Sequence, residues 1–248
     1  MTFHRDVADG VHRLDVGHVS CYLLEGAGGG LTLVDAGLPA VWPVLGRALR
    51  ELGRRPEDLR AVVLTHAHFD HLGVAERLRR RGVTVWGHLH EHELARHPYR
   101  YSHERTRASY PFRYPRAVPI LGGMVRAGAL QVRAVREVRP MPTGTRLPVP
   151  GEPEVVFSPG HTWGHCALHV RDRDVLFSGD ALVTLDPYTA HTGPRIIAGA
   201  ATADSGLALR SLDALARTRA GLVLPGHGEP WTGGVRAAAA EARSAGPS

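Results

Sequence analysis

The sequence predicts a single domain that mixes strands and helices. Its 248 residues suit one large domain or two small ones, at about 100–200 residues per domain. Hydrophobic residues make up 43% of the chain, which is enough to form a buried core. Short apolar runs typical of strands alternate with helical apolar spacing, and no long linker, exact repeat or low-complexity stretch separates them. We therefore expect one domain over residues 1–248.

The first half of the chain predicts five strands and two helices. Strands are expected at residues 11–14, 21–24 and 31–34, because these short apolar runs are separated by glycine-rich turns. Residues 39–52 have the apolar spacing of a helix. A short buried-type strand at 61–64 precedes a helix over 71–81, whose arginine-rich end suits the helix dipole. Residues 83–86 form another apolar run, which predicts a further strand.

The second half begins with a weak pattern between about residues 97 and 146 and then becomes regular again. Strands are expected at 154–157, 166–170 and 175–177 from their apolar runs. Residues 203–219 form an amphipathic pattern with Asp204 near its start, which predicts a capped helix. A last buried strand at 222–224 and a helix over 235–243 follow.

Composition excludes several kinds of protein. All thirty cationic side chains are arginine, which excludes a lysine nucleophile, a Schiff base and a phosphate-binding loop lysine. Two cysteines cannot form a disulfide framework. No apolar run approaches the roughly 18 residues that span a bilayer. The charged, non-apolar first ten residues do not resemble a secretory signal, so we expect a reduced, cytoplasmic protein.

The most informative segment is Thr65-His66-Ala67-His68-Phe69-Asp70-His71, which begins where a predicted strand ends. It holds four side chains of the types that bind metals, and histidine is the commonest metal ligand. On a tight turn after a strand these side chains can converge from several directions. A solvated polar turn explains four such residues poorly, so the segment predicts a metal site.

Three further candidates occur in the same local setting. His161, Asp180 and His227 each follow a predicted buried strand and a glycine-bearing turn. Glycine lets the backbone bend so that the next side chain faces the end of the sheet. The four strand ends are therefore expected to deliver their side chains to one rim.

The number of candidates predicts two ions. Seven side chains exceed the four positions of one tetrahedral ion, and a catalytic zinc keeps one position open for water. Two ions that share a carboxylate use all seven: His66, His68, Asp70, His71, His161, Asp180 and His227. We expect two Zn²⁺ per chain, with Mn²⁺ or Fe²⁺ as alternatives because such ligands accept several metals.

The order THxHxDH, GH, SGD and GHG resembles the metallo-β-lactamase fold hydrolases, which include glyoxalase II and the quorum-quenching lactonases. The likeness runs from about residue 31 to 227, and all seven motif positions are filled. It implies an α+β fold, a four-layer αβ/βα sandwich with two mixed β-sheets flanked by helices. It also implies a ligand assignment, with His66, His68 and His161 on one metal, Asp70, His71 and His227 on the other, and Asp180 bridging them.

The sequence departs from the patterns of several branches of this family, which disfavours those branches. Lactam-cleaving members have Cys or Ser where Asp180 stands, so antibiotic hydrolysis is disfavoured. Glyoxalase II has a C-terminal helical domain that binds glutathione, and few residues follow His227 here. N-acyl homoserine lactonases carry Tyr three residues after the bridging Asp, whereas this chain has Val183.

We predict a dinuclear hydrolase in which a metal-bridging hydroxide attacks the carbonyl of a small ester, lactone or thioester. A metal lowers the pKa of bound water from about 15.7 toward about 7, so no separate general base is needed. Asp70 is the candidate catalytic residue that orients the nucleophile and carries a proton to the leaving group. Two alternatives stay open: a phosphodiesterase or nuclease, which a pI of about 10 encourages, and an iron-dependent redox member of the same fold.

Residues 96–146 form a basic insertion, with eleven arginines against Glu104 and Glu137 and five of the chain's Tyr and Phe residues. One hypothesis is a lid or a homodimer contact that attracts an anionic small-molecule substrate; the other is a solvated loop with aromatic side chains packed on the body. Nucleic acid and membrane are disfavoured as partners. Tyr188, His191 and Arg195, shortly after Asp180, are candidate substrate-binding residues.

His88, His90 and His92 alternate along the segment that follows the strand at 83–86. They suggest a second metal site at first sight. Residues two apart do not share a helix face, however, so we interpret them as a polar face at the start of a helix.

Overall fold

The computed structural model describes residues 2–248. Its strands and helices follow, in chain order. The strands are β1 (Thr2–Ala8), β2 (Val11–Val16), β3 (Val19–Glu25), β4 (Leu31–Val34), β5 (Leu59–Val63), β6 (Thr84–Gly87), β7 (Arg139–Pro140), β8 (Glu154–Phe157), β9 (Cys166–Val170), β10 (Val175–Gly179), β11 (Val183–Leu185), β12 (Thr192–Arg195) and β13 (Leu222–Pro225). The helices are α1 (Val41–Glu51), α2 (Phe69–Leu72), α3 (Ala75–Arg79), α4 (His92–Arg96), α5 (Tyr110–Arg113), α6 (Val118–Arg126), α7 (Ser205–Thr218) and α8 (Val235–Ala245).

Two mixed sheets form the centre of the fold. In the first, strands β1 to β7 lie side by side in chain order, antiparallel up to β4 and parallel from β4 to β7. In the second, the order is β13-β10-β9-β8, and only β10 and β13 are parallel. Strands β11 and β12 pair as a separate hairpin. The predicted pair of mixed sheets is confirmed.

Alternation along the strands builds the layers, because successive side chains in a strand point to opposite faces. Leu23 packs toward helix α1, whereas its neighbours Tyr22 and Leu24 pack toward the second sheet. In the second sheet Phe177 faces the first sheet, and Leu176 faces helices α7 and α8. Three successive apolar clusters therefore separate helices, sheet, sheet and helices, as the four-layer expectation requires.

The observed elements differ from the predicted ones in several places. The helix expected over 71–81 is split into α2 and α3, because Gly73 passes against the Gly37–Leu38 backbone and donates its N–H to the Gly37 carbonyl at 2.7 Å. Strand β1 has no expected counterpart, since it is a largely exposed edge strand without an apolar alternation. Helix α7 begins as predicted, with the Asp204 side chain accepting a hydrogen bond from the Leu207 N–H at 2.7 Å.

The insertion at 96–146 is made of short helical turns, α5, α6 and the two-residue strand β7 at the edge of the first sheet. Its sequence pattern is weak because most of its side chains are exposed. Within the described range, no helix has the length and apolar character needed to span a bilayer. Cys21 and Cys166 are both buried free thiols.

Candidate metal centre

The candidate ligands all lie at one edge of the two sheets. In the second sheet, β8, β10 and β13 run in the same direction. They and β5 of the first sheet are each followed by a bend and a candidate side chain, and these side chains meet. Asp70 and His71 are carried by the short helix α2, directly after the bend that holds His66 and His68. All seven side chains are buried: His66, His68, Asp70, His71, His161, Asp180 and His227.

The structure brings these seven side chains into three overlapping groups whose candidate ligand atoms lie within 4.8 Å of one another. We name two of them by composition. The three-histidine end consists of His66, His68 and His161, and the carboxylate end consists of Asp70, His71 and His227. The third group, His66, His71 and Asp180, joins the two ends.

Asp180 lies between the two ends. Its Oδ2 atom is 3.5 Å from His161 Nε2 and 3.3 Å from His227 Nε2, and its Oδ1 atom is 3.5 Å from His71 Nε2. At the three-histidine end, His161 Nε2 is 2.9 Å from His68 Nδ1. At the carboxylate end, His227 Nε2 is 3.3 Å from Asp70 Oδ2.

The pattern of hydrogen bonds within the cluster fits the presence of metal ions. Buried polar atoms in proteins almost always have a partner, and each exception calls for an explanation. Among residues 2–248, eight buried side-chain polar atoms lack a hydrogen-bond partner, and four of these belong to candidate ligands: Nε2 of His66, His68 and His71, and Oδ1 of Asp180. Imidazole nitrogen and carboxylate oxygen are donors that Zn²⁺ and related ions accept.

Outer hydrogen bonds orient the ligand rings, as is usual at metal sites. Asp35, directly after β4, contacts His71 Nδ1 at 3.0 Å through Oδ2. The same carboxylate accepts hydrogen bonds from the Thr65 N–H at 2.8 Å and the Thr65 hydroxyl at 2.9 Å. Sequence reasoning missed Asp35, although it follows a buried strand as the predicted ligands do; its glycine, Gly37, comes after it and not before it.

Other rings are held in a comparable way. His161 Nδ1 lies 3.3 Å from the Thr202 hydroxyl, and His227 Nδ1 lies 2.8 Å from the His18 carbonyl. His165, which is also fully buried, accepts the Asp180 N–H at 3.1 Å through Nε2. Sequence reasoning gave no signal for Thr202 or His18, because both meet the cluster from distant parts of the chain.

Charge is distributed unevenly across the cluster. Burial lowers the pKa of His161 to about 4 and, together with His71 and His161, holds the pKa of His66 well below its ordinary value. Burial also disfavours the charged form of His227, but Asp180 and Asp70 outweigh it and raise the pKa of His227 to about 10. His71 behaves similarly, since Asp180 and Asp35 overcome burial and raise its pKa. The carboxylates thus create a negative potential that favours cations.

Glycine is required at Gly226, next to His227. A Cβ atom there would collide with Asp180 Oδ1 and would lie 2.7 Å from His71 Cε1. The chain therefore approaches the cluster closely only because this position has no side chain.

The cavity over the cluster is small. Its volume is about 10 Å³, roughly the room needed for one water molecule. Besides cluster residues, its walls include Tyr101 and Tyr188, whose hydroxyl oxygens are 3.3 Å apart. A second cavity of about 170 Å³ adjoins it and shares His68, Tyr101 and His161.

The predicted substrate-binding residues are placed differently from one another. Tyr188 lines the cavity over the cluster. His191 is exposed and packs its ring 5.6 Å from that of Tyr114, and Arg195 donates hydrogen bonds to the carbonyls of Gly193 and Thr192. The described residues that line this cavity do not include His191 or Arg195.

Tyr101 brings the basic insertion to the cluster. Its ring centroid lies 4.1 Å from that of His68, and the Arg107 guanidinium carbon lies 4.0 Å from the Tyr101 ring centroid. Arg107 also donates a hydrogen bond to the Ala200 carbonyl at 3.1 Å. The insertion thus covers part of the candidate site with an aromatic side chain and a cation.

Comparison with known proteins agrees with this geometry. The family model described as Metallo-beta-lactamase superfamily matches residues 14–227. The chain is 28% identical over 241 residues to the probable metallo-hydrolase YflN of Bacillus subtilis, covering 92% of this chain and 87% of that protein.

Two further similarities bear on chemistry. The hydroxyacylglutathione hydrolase of Cereibacter sphaeroides is 30% identical over 166 residues, which are 66% of this chain and 48% of that protein. A solved structure of TTHA1623 in a di-iron-bound form is 26% identical, with a TM-score of 0.62, and covers 91% of this chain and 95% of that chain.

Proposed function

The chain belongs to the metallo-beta-lactamase superfamily, and from that premise we propose that it is a dinuclear metal-dependent hydrolase of a small ester, lactone or thioester. The observation that carries the proposal is the convergence of seven buried imidazole and carboxylate side chains at the sheet edge, four of whose polar atoms have no hydrogen-bond partner among residues 2–248. Similarity to a metallo-hydrolase over most of the chain supports the general reaction class.

We assign the two cations to the two ends of the cluster. His66, His68 and His161 would hold one, and Asp70, His71 and His227 the other, with Asp180 shared between them. When bound, two such ions lower the pKa of a water molecule toward about 7 and polarise a substrate oxygen. Zn²⁺ is the proposed metal, and Mn²⁺ and Fe²⁺ suit the same donors.

Asp70 is proposed to act on protons as well as to hold a cation. Its carboxylate lines the cavity and its Oδ2 atom lies 3.3 Å from His227 Nε2. A carboxylate in this place can orient a water molecule by accepting its proton and can later deliver a proton to the leaving oxygen or sulfur. The alcohol or thiol then leaves in its neutral form.

The proposed substrate is a small molecule bound between the two cavities. Tyr188, which lines the cavity over the cluster, is proposed to contact a carbonyl substrate, and the adjoining cavity of about 170 Å³ offers room for the acyl or leaving group. Arg100 at that cavity and Arg107 over Tyr101 favour a substrate that carries an anionic group. A thioester is among the candidates because a hydroxyacylglutathione hydrolase is similar to part of this chain.

The insertion is proposed to be a lid. The cavity over the cluster has room for about one water molecule, so a larger substrate requires Tyr101 to move. Loops that close over a site in this way exclude water and complete the binding surface. A homodimer contact by the same insertion remains part of the hypothesis, and nucleic acid and membrane are not proposed partners. The buried free thiols suit a reducing compartment such as the cytoplasm.

The test combines metal analysis with a substrate panel. Protein purified without chelator is expected to carry two metal ions per chain and to hydrolyse at least one lactone or thioester. A chain without bound metal would overturn the proposal. Hydrolysis of bis(p-nitrophenyl) phosphate alone would support the phosphodiesterase alternative instead. Bound iron with a visible chromophore and no hydrolysis would support the redox alternative, for which the di-iron form of TTHA1623 is the relevant similarity.

A further inference from the structure

Glu91 is a buried carboxylate outside the candidate ligand set. It is the last residue of the short helical turn Leu89–Glu91 that precedes α4, and it is 1% exposed. Its Oε2 atom accepts a hydrogen bond from the Ala67 N–H at 2.7 Å. Its Oε1 atom accepts a hydrogen bond from the Gly164 N–H at 2.8 Å.

The two amide groups belong to the two segments that form the three-histidine end. Ala67 lies between His66 and His68, and Gly164 lies three residues after His161. One carboxylate therefore joins both segments, each of its oxygens holding one of them. Gly164 is itself required, since a Cβ atom there would lie 2.7 Å from Glu91 Oε1 and 2.9 Å from His88 Nδ1.

Burying a carboxylate costs free energy, because an ionised group loses its hydration. Burial raises the pKa of Glu91, although its hydrogen bonds to the Ala67 and Gly164 amides act in the opposite direction. Two charge-assisted hydrogen bonds to backbone amides offset this cost in part. A neutral apolar side chain would leave both amide groups buried without acceptors, so the carboxylate serves the geometry of these two segments.

We propose that Glu91 is a positioning residue that sets the spacing between His66, His68 and His161 and so controls metal affinity at the three-histidine end only. Its hydrogen bonds to Ala67 and Gly164 lie on that side of the cluster, whereas Asp35 contacts His71 at the carboxylate end. The inference rests on the proposed function to the extent that these three histidines bind a metal.

The test is Glu91→Gln, with Glu91→Ala as the stronger variant. Glutamine keeps the shape, but its single oxygen can accept from only one of the two amides and its NH₂ group faces the other. Titration of metal-free protein with Zn²⁺ against a competing chelator measures the two affinities separately. We expect one affinity to fall about 10–100-fold, as is typical for outer hydrogen-bond partners of metal ligands, and the other to change less than about twofold.

Glu76→Gln is the matched control. Glu76 is also a buried glutamate, 3% exposed, but it accepts hydrogen bonds from Arg79 and Arg80 on α3 instead of from the ligand segments. This variant is expected to lose stability and to keep both Zn²⁺ affinities. A general effect of lost stability on metal binding would appear in both variants.

A second readout does not depend on the metal. In metal-free protein, the amide signals of Ala67 and Gly164 are expected to shift and to exchange faster with solvent in Glu91→Gln. Unchanged Zn²⁺ affinities in Glu91→Gln would overturn the inference even if the parent binds two ions and hydrolyses its substrate. An equal fall in both affinities would overturn it as well. A parent that binds no Zn²⁺ would overturn the proposed function together with this inference.

Discussion

The two ends of the cluster use the same side chain, imidazole, in opposite electrostatic settings. At the three-histidine end, burial lowers the pKa of His161 to about 4, and it also lowers the pKa values of His66 and His68. At the carboxylate end, Asp180 and Asp70 raise the pKa of His227 to about 10 in spite of equal burial. Burial is therefore shared by both ends, and the position of the carboxylates is what differs.

The two ends therefore attract and bind cations in different ways. The three-histidine end presents neutral rings whose orientation depends on the surrounding segments. The carboxylate end attracts positive charge, whether a proton or a cation, and its histidines must lose a proton before they bind a metal. We expect metal affinity at the carboxylate end to depend more steeply on pH for this reason.

The largest effect is expected for Asp180→Asn, which removes the charge that the two ends share. Metal affinity should fall at both ends by more than the about 10–100-fold typical of an outer hydrogen-bond partner, and hydrolysis should be lost. In metal-free protein, the pKa of His227 should move from about 10 toward its ordinary value, because its largest favourable partner is gone. Metal analysis and NMR titration of the histidine rings measure these changes.

Asp213→Asn is the control for this substitution. Asp213 is exposed on α7 and pairs with Arg243, away from the cluster. It should leave metal content and activity unchanged. An Asp180→Asn variant that keeps two tightly bound ions would show that the carboxylate does not link the two ends.

Asp70→Asn should separate catalysis from metal binding at the carboxylate end. We expect most of the metal to be retained and kcat to fall about 10²–10⁴-fold, the usual contribution of a positioned proton-transfer group. Steady-state kinetics and metal analysis on the same preparation check this. A variant with near-parental kcat would remove Asp70 from the proposed proton transfer.

Asp35→Asn is the counterpart of Glu91→Gln on the other side of the cluster. The carboxylate of Asp35 orients His71 through the 3.0 Å contact with Nδ1. We expect affinity at the carboxylate end to fall about 10–100-fold, more than at the three-histidine end. Competition titration with Zn²⁺ measures both, and equal losses would show that the two ends are not independent.

The smallest effect is expected for Glu76→Gln, which tests a buried carboxylate that is paired with arginines. Hydrogen bonds from Arg79 and Arg80 lower the pKa of Glu76 to about 2. Because the folded-state pKa is the lower one, this ionised group stabilises the fold above about pH 4.5 and loses its effect as the pH falls through about 2. The substitution should cost about 2 kcal/mol at pH 7, as denaturant unfolding would show, and much less near pH 2.

Much of the candidate site could be predicted because its residues share one local signal. His161, Asp180 and His227 each follow a strand and a glycine-bearing bend, and the structure brings them together with the 66–71 segment. Asp35 directly follows the buried strand β4 and could have been found by the strand part of this signal alone. The layer order came from resemblance, since alternation along a strand does not say which sheet a strand joins.

Other residues gave no usable signal. Glu91 lies among His88, His90 and His92, a segment that the sequence predicts as a polar helix start, and its burial depends on two backbone amides from distant segments. The insertion was predicted only in outline, because its aromatic contacts with the cluster, such as Tyr101 on His68, depend on tertiary packing. Local pattern therefore finds strand ends, whereas contacts across the fold require the structure.

The strand order also has a consequence for how the protein is made. Four cluster side chains come from the segment after β5, whereas His227 follows β13, the last strand in the chain. At about 5–20 residues per second, a ribosome would reach His227 roughly 8–30 s after His71. During that interval the nascent chain displays only part of its metal-binding groups. Completion of the site therefore coincides with the docking of the second sheet onto the first.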